Sequence, residues 1–291
     1  MPQEHTPDAS LIPSLDPSIL TLDDSERAFL HASISNDEAE VRKRVSDVQE
    51  RAYAKYPYPC IRAFHHVNLM MSKNAIYGEV LEAGQSGDTI FLDLGCCMGT
   101  DVRKLVFDGY PASNVVGCDL RQEFIDLGYE LYKDRSSCAI RFIVDDIFDA
   151  DAPTDHAASD LAQVTRLCQL KDRVSHFYLG ALFHLYDEQT QFAIALAVGK
   201  LLHKEKGGIA FGRHHGVTKE GVADDHLGRN RYAHSPTSWT TMWRQVFTQL
   251  VSAEFANSRI VVDAVLNAGF AKEILGAPSQ TGMMYWSVKI V

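Results

Sequence analysis

Apolar residues in this chain follow two rhythms. In the middle they come as short unbroken runs: Ile90-Phe91-Leu92 before Asp93, Val115-Val116 before Gly117-Cys118-Asp119, and Phe142-Ile143-Val144 before Asp145-Asp146-Ile147. A run of that kind, without polar alternation, predicts a strand covered on both faces, as in a parallel sheet. Val174 to Leu185 reads as a fourth strand with the loop beyond it. Ile209 to Gly212, entered through Gly207-Gly208, reads as a fifth, and Met283 to Val291 as the last. Elsewhere the spacing is helical. Val41, Val45, Val48 and Ala52 form one stripe of a helix that starts at Asn36-Asp37-Glu38 and runs to about Tyr56. Pro57 and Pro59 end it. Further helical stretches are expected over roughly 62–83 and from Gln189 to Lys204. Ser238 reads as the N-cap of another, which carries Trp239 and Trp243 one turn apart on one face. Strands alternating with helices predict an α/β fold.

The same pattern divides the chain. Residues 1–20, with prolines at 2, 7, 13 and 17, form an irregular arm; 21–87 are helical and precede the first core strand, a candidate lid; 88–291 make one domain. Within it, Asp149 to Gln169 is acidic, then helical. Arg213 to Ser238 is a long polar segment holding His214, His215, Arg231, Tyr232 and His234. Loops of that length in compact domains are usually functional or disordered, and the functional reading is taken here. Residues 213–250 are therefore expected to shape a substrate pocket, with Arg231, His234, Trp239 and Trp243 on its wall.

At 291 residues, with 46% hydrophobic and 23% charged content, the chain is long enough for a full core. The formal net charge of −10 argues against a nucleic-acid partner, which clustered Lys and Arg would have to hold. No apolar run approaches a membrane span, and the N-terminus lacks a basic region followed by an apolar core, so a cytoplasmic location without membrane insertion is expected. The six cysteines (60, 96, 97, 118, 138, 168) include no Cys-x-x-Cys pair and read as reduced thiols. His65-His66 and His214-His215 are adjacent pairs that rarely point at one ion, and no zinc pattern is present, so no metal is expected. No Gly-x-Ser-x-Gly elbow supports a serine hydrolase.

The chemistry gathers where the first run ends. Asp93-Leu-Gly-Cys-Cys-Met-Gly99 is a strand end, a turn bracketed by Gly95 and Gly99, and a helix start at Thr100. Such a turn lets backbone approach a ligand and offers free N–H groups. A dinucleotide fingerprint would need glycine at 97 and 100, which hold Cys and Thr; glycines at two-residue steps would need 95, 97 and 99, where only Cys97 departs. Asp119 ends the next strand, at the position from which a carboxylate can accept from a ribose diol. Asp145-Asp146-Ile147 offers an acid beside an aliphatic side chain, which suits an adenine ring.

Together, Asp93-Leu-Gly-Cys-Cys-Met-Gly99, Asp119, Asp145-Asp146-Ile147, His176-Phe-Tyr-Leu-Gly-Ala-Leu-Phe-His184 and Gly207-Gly208 resemble the successive motifs of class I S-adenosylmethionine-dependent methyltransferases. Tyr56-Pro-Tyr-Pro-Cys-Ile-Arg62 and His234-Ser-Pro-Thr-Ser-Trp239 further resemble fungal methyltransferases of secondary metabolism, the meroterpenoid-pathway type that esterifies a farnesyl-dimethylorsellinate carboxyl group. The resemblance implies a Rossmann-like fold: a seven-stranded, mostly parallel sheet with an antiparallel last strand, flanked by helices. It implies S-adenosyl-L-methionine as cofactor across the carboxyl ends of the first four strands. Asp93, Gly95 and Gly99 would face the methionine part, Asp119 the ribose, and Asp146 and Ile147 the adenine, with Cys97, Leu120 and Asp145 also on the cofactor site. Tyr178 would lie on the far side of the sulfonium, and Tyr58 and Arg62 would close the site from above, Arg62 on the cofactor carboxylate. The partner implied is a small-molecule acceptor; a homodimer stays open.

The acceptor atom decides the mechanism. A carboxylic acid, pKa about 4, is already a nucleophile at neutral pH and needs only alignment, whereas a phenol, pKa about 10, needs a base. His184 and His214 are the candidates for that base. A methyltransferase-fold protein without methyl transfer, a regulator or a cofactor-assisted cyclase, is the reading of another class.

Overall fold

The computed structural model describes residues 12–153, 160–223, 231–267 and 280–291. Parts of the expected arm, of the acidic stretch after Asp149 and of the polar segment (1–11, 154–159 and 224–230) lie outside the described residues.

The helices ahead of the sheet are α1 (Asp24–Ser33), α2 (Glu38–Lys55), the single turn α3 (Pro59–Arg62) and α4 (Tyr77–Gln85). There follow β1 (Phe91–Leu94), α5 (Thr100–Phe107), β2 (Val115–Asp119), α6 (Gln122–Tyr132), β3 (Arg141–Val144), β4 (His176–Gly180), α7 (Glu188–Leu201) and β5 (Ile209–Val217). The small strands β6 (Gly221–Ala223) and β7 (Arg231–Ala233) pair with each other, and α8 (Pro236–Leu250), α9 (Ala253–Arg259), β8 (Ile260–Asn267) and β9 (Thr281–Ile290) complete the chain.

The sheet has seven strands in the order β3-β2-β1-β4-β5-β9-β8. Pairing is parallel from β3 through β5, and β9 runs antiparallel to both of its neighbours. This is the seven-stranded, mostly parallel architecture with an antiparallel last strand that the resemblance implies. The strand order reverses between β1 and β4, the switch point at whose carboxyl ends ligands sit in open α/β sheets. Alternate residues serve opposite faces. Leu92, Val116, Cys118, Phe177 and Leu179 pack with residues of α7 and α8, while Phe91, Val115, Tyr178 and Phe211 pack with residues of α4 and α5. Both faces are covered, which is why these strands read as unbroken apolar runs.

The first helices join a cluster of their own. Phe29, Val41, Val45, Val48, Ala52, Ile61 and Phe64 pack against Phe124, Leu127 and Leu131 of α6 and against Met98 of the β1–α5 turn. The N-terminal helices thus rest on α6 and on the turn at the carboxyl end of β1.

Three expectations are corrected. The stretch 62–83 is not one helix: Phe64 takes φ 59°, and Gln49 donates from Nε2 to the carbonyls of Ile61 and Arg62, which ends α3 after a single turn. Residues 213–217 are strand rather than loop, because β5 continues to Val217 against β9. Ser235, not Ser238, caps α8; Ser238 occupies the third helical position and completes a capping box with it.

Candidate active site

β1 ends at Leu94 and the chain turns through Gly95-Cys96-Cys97-Met98-Gly99 into α5. Gly95, Cys97 and Gly99 all take positive φ, at 79°, 52° and 69°. The left-handed conformation at every second position explains the two-residue glycine step, and Cys97 carries it at a cost of about 1 kcal/mol. Asp119 holds that residue in place. Its Oδ2 accepts from the Cys97 amide at 2.8 Å and its Oδ1 from the Arg121 amide at 2.9 Å. A Cβ at Gly99 would meet Arg103 and the Phe142 ring at 2.7 Å, whereas one at Gly95 would meet nothing within 4 Å. The turn is therefore tightly backed at one end and open at the other. Beneath it, buried Arg103 donates to the carbonyls of Met98 and Gly99 at 2.8 and 3.2 Å and makes a bidentate pair with Asp134 at 2.7 and 3.0 Å.

Three carboxyls surround this turn. Asp93 is 3% exposed and accepts no hydrogen bond among the described residues; burial first, then the charges of Asp101 and Asp119, hold its pKa well above the usual carboxylate range. Burial raises Asp119 to about 6 against the pull of its backbone donors. Asp101, which accepts from the Met71 amide at 3.0 Å, is likewise raised by burial to about 6. Acids whose proton burial holds this firmly favour a cationic ligand with hydrogens to donate. The ammonium and sulfonium of S-adenosylmethionine fit that demand, and its ribose diol fits Asp119.

At the adenine end the two acids divide. Asp145 is committed: its Oδ2 accepts from the Leu167 amide at 2.7 Å, and Arg166 lies 3.6 Å from Oδ1. Both of its oxygens thus face protein donors, as both of Asp119's do. Asp146 uses only Oδ1, on the Phe148 amide at 3.0 Å, which leaves an oxygen for an amine. Ile147 is buried beside it, and Leu120 stands 52% exposed after Asp119.

The segment above the turn carries Tyr58, which stacks on Tyr56 at 5.9 Å between ring centroids. Burial, then the Asp119 charge, pushes the Tyr58 phenol up to about 12. Arg62 turns away, donating from Nε to the Ser14 carbonyl at 2.8 Å, so its expected place on the cofactor carboxylate is corrected. Cys60, His65 and His215 have accessible surface, yet desolvation dominates their titration. Side chains on the wall of a cleft behave in this way. Tyr178 pairs in register with Asp93 and is buried against Phe211, its rings 5.1 Å apart. His184 faces His215 across the mouth, with ring centroids 5.2 Å apart.

The family described as "Meroterpenoid methyltransferase N-terminal domain" matches residues 15–67. The Asnovolin E/Chermesin D methyltransferase nvfJ of Aspergillus novofumigatus (strain IBT 16806) is 34% identical over 208 residues, 71% of this chain and 70% of that protein. The chain belongs to this family of fungal methyltransferases. O-methyltransferase phiE of a fungal species (strain ATCC 74256) is 32% identical over 204 residues, 69% of this chain and 64% of its own length. Methyltransferase adrK of Penicillium roqueforti is 32% identical over 207 residues, 71% of this chain and 70% of its own. A solved S-adenosylmethionine-dependent methyltransferase from Mesorhizobium loti overlays with a TM-score of 0.45 at 13% identity, over 74% of this chain and 98% of that one. By its family the protein is an S-adenosylmethionine-dependent methyltransferase of fungal meroterpenoid metabolism. Its cofactor supplies an electrophilic methyl group on a sulfonium.

In this methyltransferase the residues expected to bind the acceptor are only partly brought together. Trp239 and Trp243 are 0% exposed and His234 is 2% exposed. The two indoles pack in the core with Phe183, 4.8 and 6.4 Å away, and with Trp286, 4.9 and 5.9 Å away. His234 shares a hydrogen bond with the Ser238 hydroxyl at 2.9 Å. None of the three presents a ring to solvent. Arg231 lies instead with Tyr232 in a shallow groove beside Asp187 and Glu188. His214 is corrected as a candidate base. Its Nδ1 accepts from the Trp286 indole N–H at 3.0 Å, so the lone pair of the neutral ring is already taken, and burial drives its pKa well below 6.5. Residues not singled out from sequence are Arg103, Asp101 and Arg213. Asp101 was legible as an acid in the first turn of a helix beside the turn; the other two depend on partners distant in sequence.

Among the described residues no helix is long and apolar enough to cross a membrane, no group of three or more metal-ligating side chains occurs, and the six cysteines are free. Cys60 is exposed, Cys97 and Cys138 partly buried, and Cys96, Cys118 and Cys168 buried.

Proposed function

We propose that this methyltransferase places the methyl group on a carboxylate oxygen of a bulky, largely apolar meroterpenoid-type acid. The observation that carries the reading is the state of the two histidines near the carboxyl end of β5. His214 has its basic nitrogen on Trp286, and His215 is pushed down first by desolvation and then by the charges of Arg231 and Arg213. An acceptor that is already ionised needs neither. The family's association with meroterpenoids and the name of one relative, an O-methyltransferase, support the acceptor class and the oxygen. Asp93, Asp101, Asp119 and Asp146 would hold the cofactor, with the open side of Gly95 facing it. Tyr178 would lend a ring face near the sulfonium, where its quadrupole attracts a cation.

The test is the product. With fungal meroterpenoid acids as trial acceptors, S-adenosylhomocysteine should appear together with a methylated product that alkali splits to methanol. Turnover at saturation should stay flat from about pH 7 to 9, since no proton is removed. A base-stable methyl ether, with a rising limb through neutral pH that His184→Ala abolishes, would overturn the carboxylate reading in favour of a phenol. Failure to release S-adenosylhomocysteine with any such acid would sink it altogether.

A further inference from the structure

Arg213 lies near the carboxyl end of β5, opposite Gly180 of β4, and is 6% exposed. Its Nε has no hydrogen-bond partner, one Nη donates only to the Met283 sulfur at 3.6 Å, and no carboxylate pairs with it among the described residues. A buried guanidinium without a counter-ion is costly, and proteins keep one where a ligand supplies the charge. The surroundings say where that ligand lies. The field of Arg213 falls on Asp101 of α5, Tyr178 of β4, His215 of β5, and Cys60 and His65 of the segment above. The Tyr178 hydroxyl sits against the guanidinium without the geometry of a hydrogen bond. Asp101 does not pair with it and accepts from the Met71 amide instead. His65, Cys60 and His215 carry accessible surface. Arg213 therefore faces the cleft above β4 and β5, beside the cofactor turn.

We propose that Arg213 is the receptor for a carboxylate bound in this cleft, and that the carboxylate is the acceptor's. The planar guanidinium matches a carboxylate with two parallel N–H bonds, which a lysine or histidine cannot do. Two anions could reach it, the acceptor's carboxylate and that of the cofactor's methionine part. The position on β5, past Tyr178 as seen from Asp93, favours the acceptor. The inference rests on the carboxylate reading and adds a consequence: the methyl ester is neutral and offers the guanidinium one carbonyl acceptor in place of a charged pair of oxygens, so the acid is held more tightly than the ester.

Calorimetry on the full chain tests this with Arg213→Met, which keeps the volume and removes the charge, and with Arg213→Lys. The acceptor probes are 3,5-dimethylorsellinic acid and its methyl ester, titrated with S-adenosylhomocysteine present. The cofactor probes are S-adenosylhomocysteine and methylthioadenosine, which lacks the amino-acid carboxylate. The wild type should prefer the acid over the ester by tenfold or more, Arg213→Met should erase the preference, and Arg213→Lys should restore part of it. Both cofactor probes should stay within threefold, and the Tm of Arg213→Met without ligand should match or exceed the wild type, because an unpaired buried charge is gone. Loss of S-adenosylhomocysteine affinity by thirtyfold with methylthioadenosine unchanged would overturn the assignment to the acceptor and give Arg213 to the cofactor. A wild type without preference for the acid, or an Arg213→Met protein whose Tm falls by many degrees, would overturn the receptor altogether. An ether product alongside an intact acid preference would remove the carboxylate-methylation reading and leave the receptor standing.

Discussion

Replacing Asp119 with alanine should weaken S-adenosylhomocysteine binding by about a hundredfold, or roughly 2.7 kcal/mol. The loss is large because the carboxylate does two jobs. Towards the protein it accepts from the amides of Cys97 and Arg121, and so holds a non-glycine residue at φ 52°. Towards the cofactor it would be the acceptor for the ribose diol, as proposed above. The same residue sets a pH dependence. In the free protein burial keeps the Asp119 proton on up to about pH 6. Binding through two donated hydroxyls favours the ionised form, so affinity is full above about pH 7 and falls as pH drops through 6, by up to tenfold per pH unit. Asp119→Asn keeps an acceptor but cannot ionise, so its weaker affinity should lose this component of the pH response. Isothermal titration between pH 5 and 8 reads both effects. A folded Asp119→Ala protein with unchanged affinity would remove the residue from the site.

The parallel core was legible because both of its faces are covered: Leu92, Val116 and Phe177 meet one helical layer while Phe91, Val115 and Tyr178 meet the other. The turn was legible for a local reason as well, since positive φ at 95, 97 and 99 demands glycine and leaves its mark in composition even with one cysteine present. What could not be read was decided by partners far along the chain. Arg213, His214 and His215 look like loop residues by polarity, yet pairing with Tyr285, Met284 and Met283 of β9 makes them strand. The indole that takes the His214 lone pair is 72 residues away, and no spacing rule announces it. Ile61, Phe64, Val67, Leu69 and Met71 are all buried and so mimic a helical stripe, but they line successive turns. The cap of α8 was within reach: Pro236 at the first helical position marks Ser235 as its N-cap.

Trp239 is where pattern and packing disagree most, and its substitution should show which prevails. Trp239→Ala is expected to lower stability by about 3–5 kcal/mol, the range for deleting a large aromatic side chain from a core. The indole is wholly buried, with ring centroids 4.5 Å from His214, 4.8 Å from Phe183 and 4.9 Å from Trp286. Removing it would open a cavity beside the His214–Trp286 hydrogen bond and loosen the sheet between β5 and β9, on which both rings stand. Trp239→Phe keeps most of the volume and should cost less than half as much. Denaturant unfolding of the two variants gives the stabilities, and calorimetry on the folded fraction should find cofactor affinity little changed, because the cofactor turn packs on α6 and Phe142 rather than on α8. If Trp239→Ala instead unfolds within about 1 kcal/mol of the wild type while the acceptor's KM rises tenfold or more, the indole lines the acceptor pocket, as its helical spacing first suggested, and its place in the core is incidental.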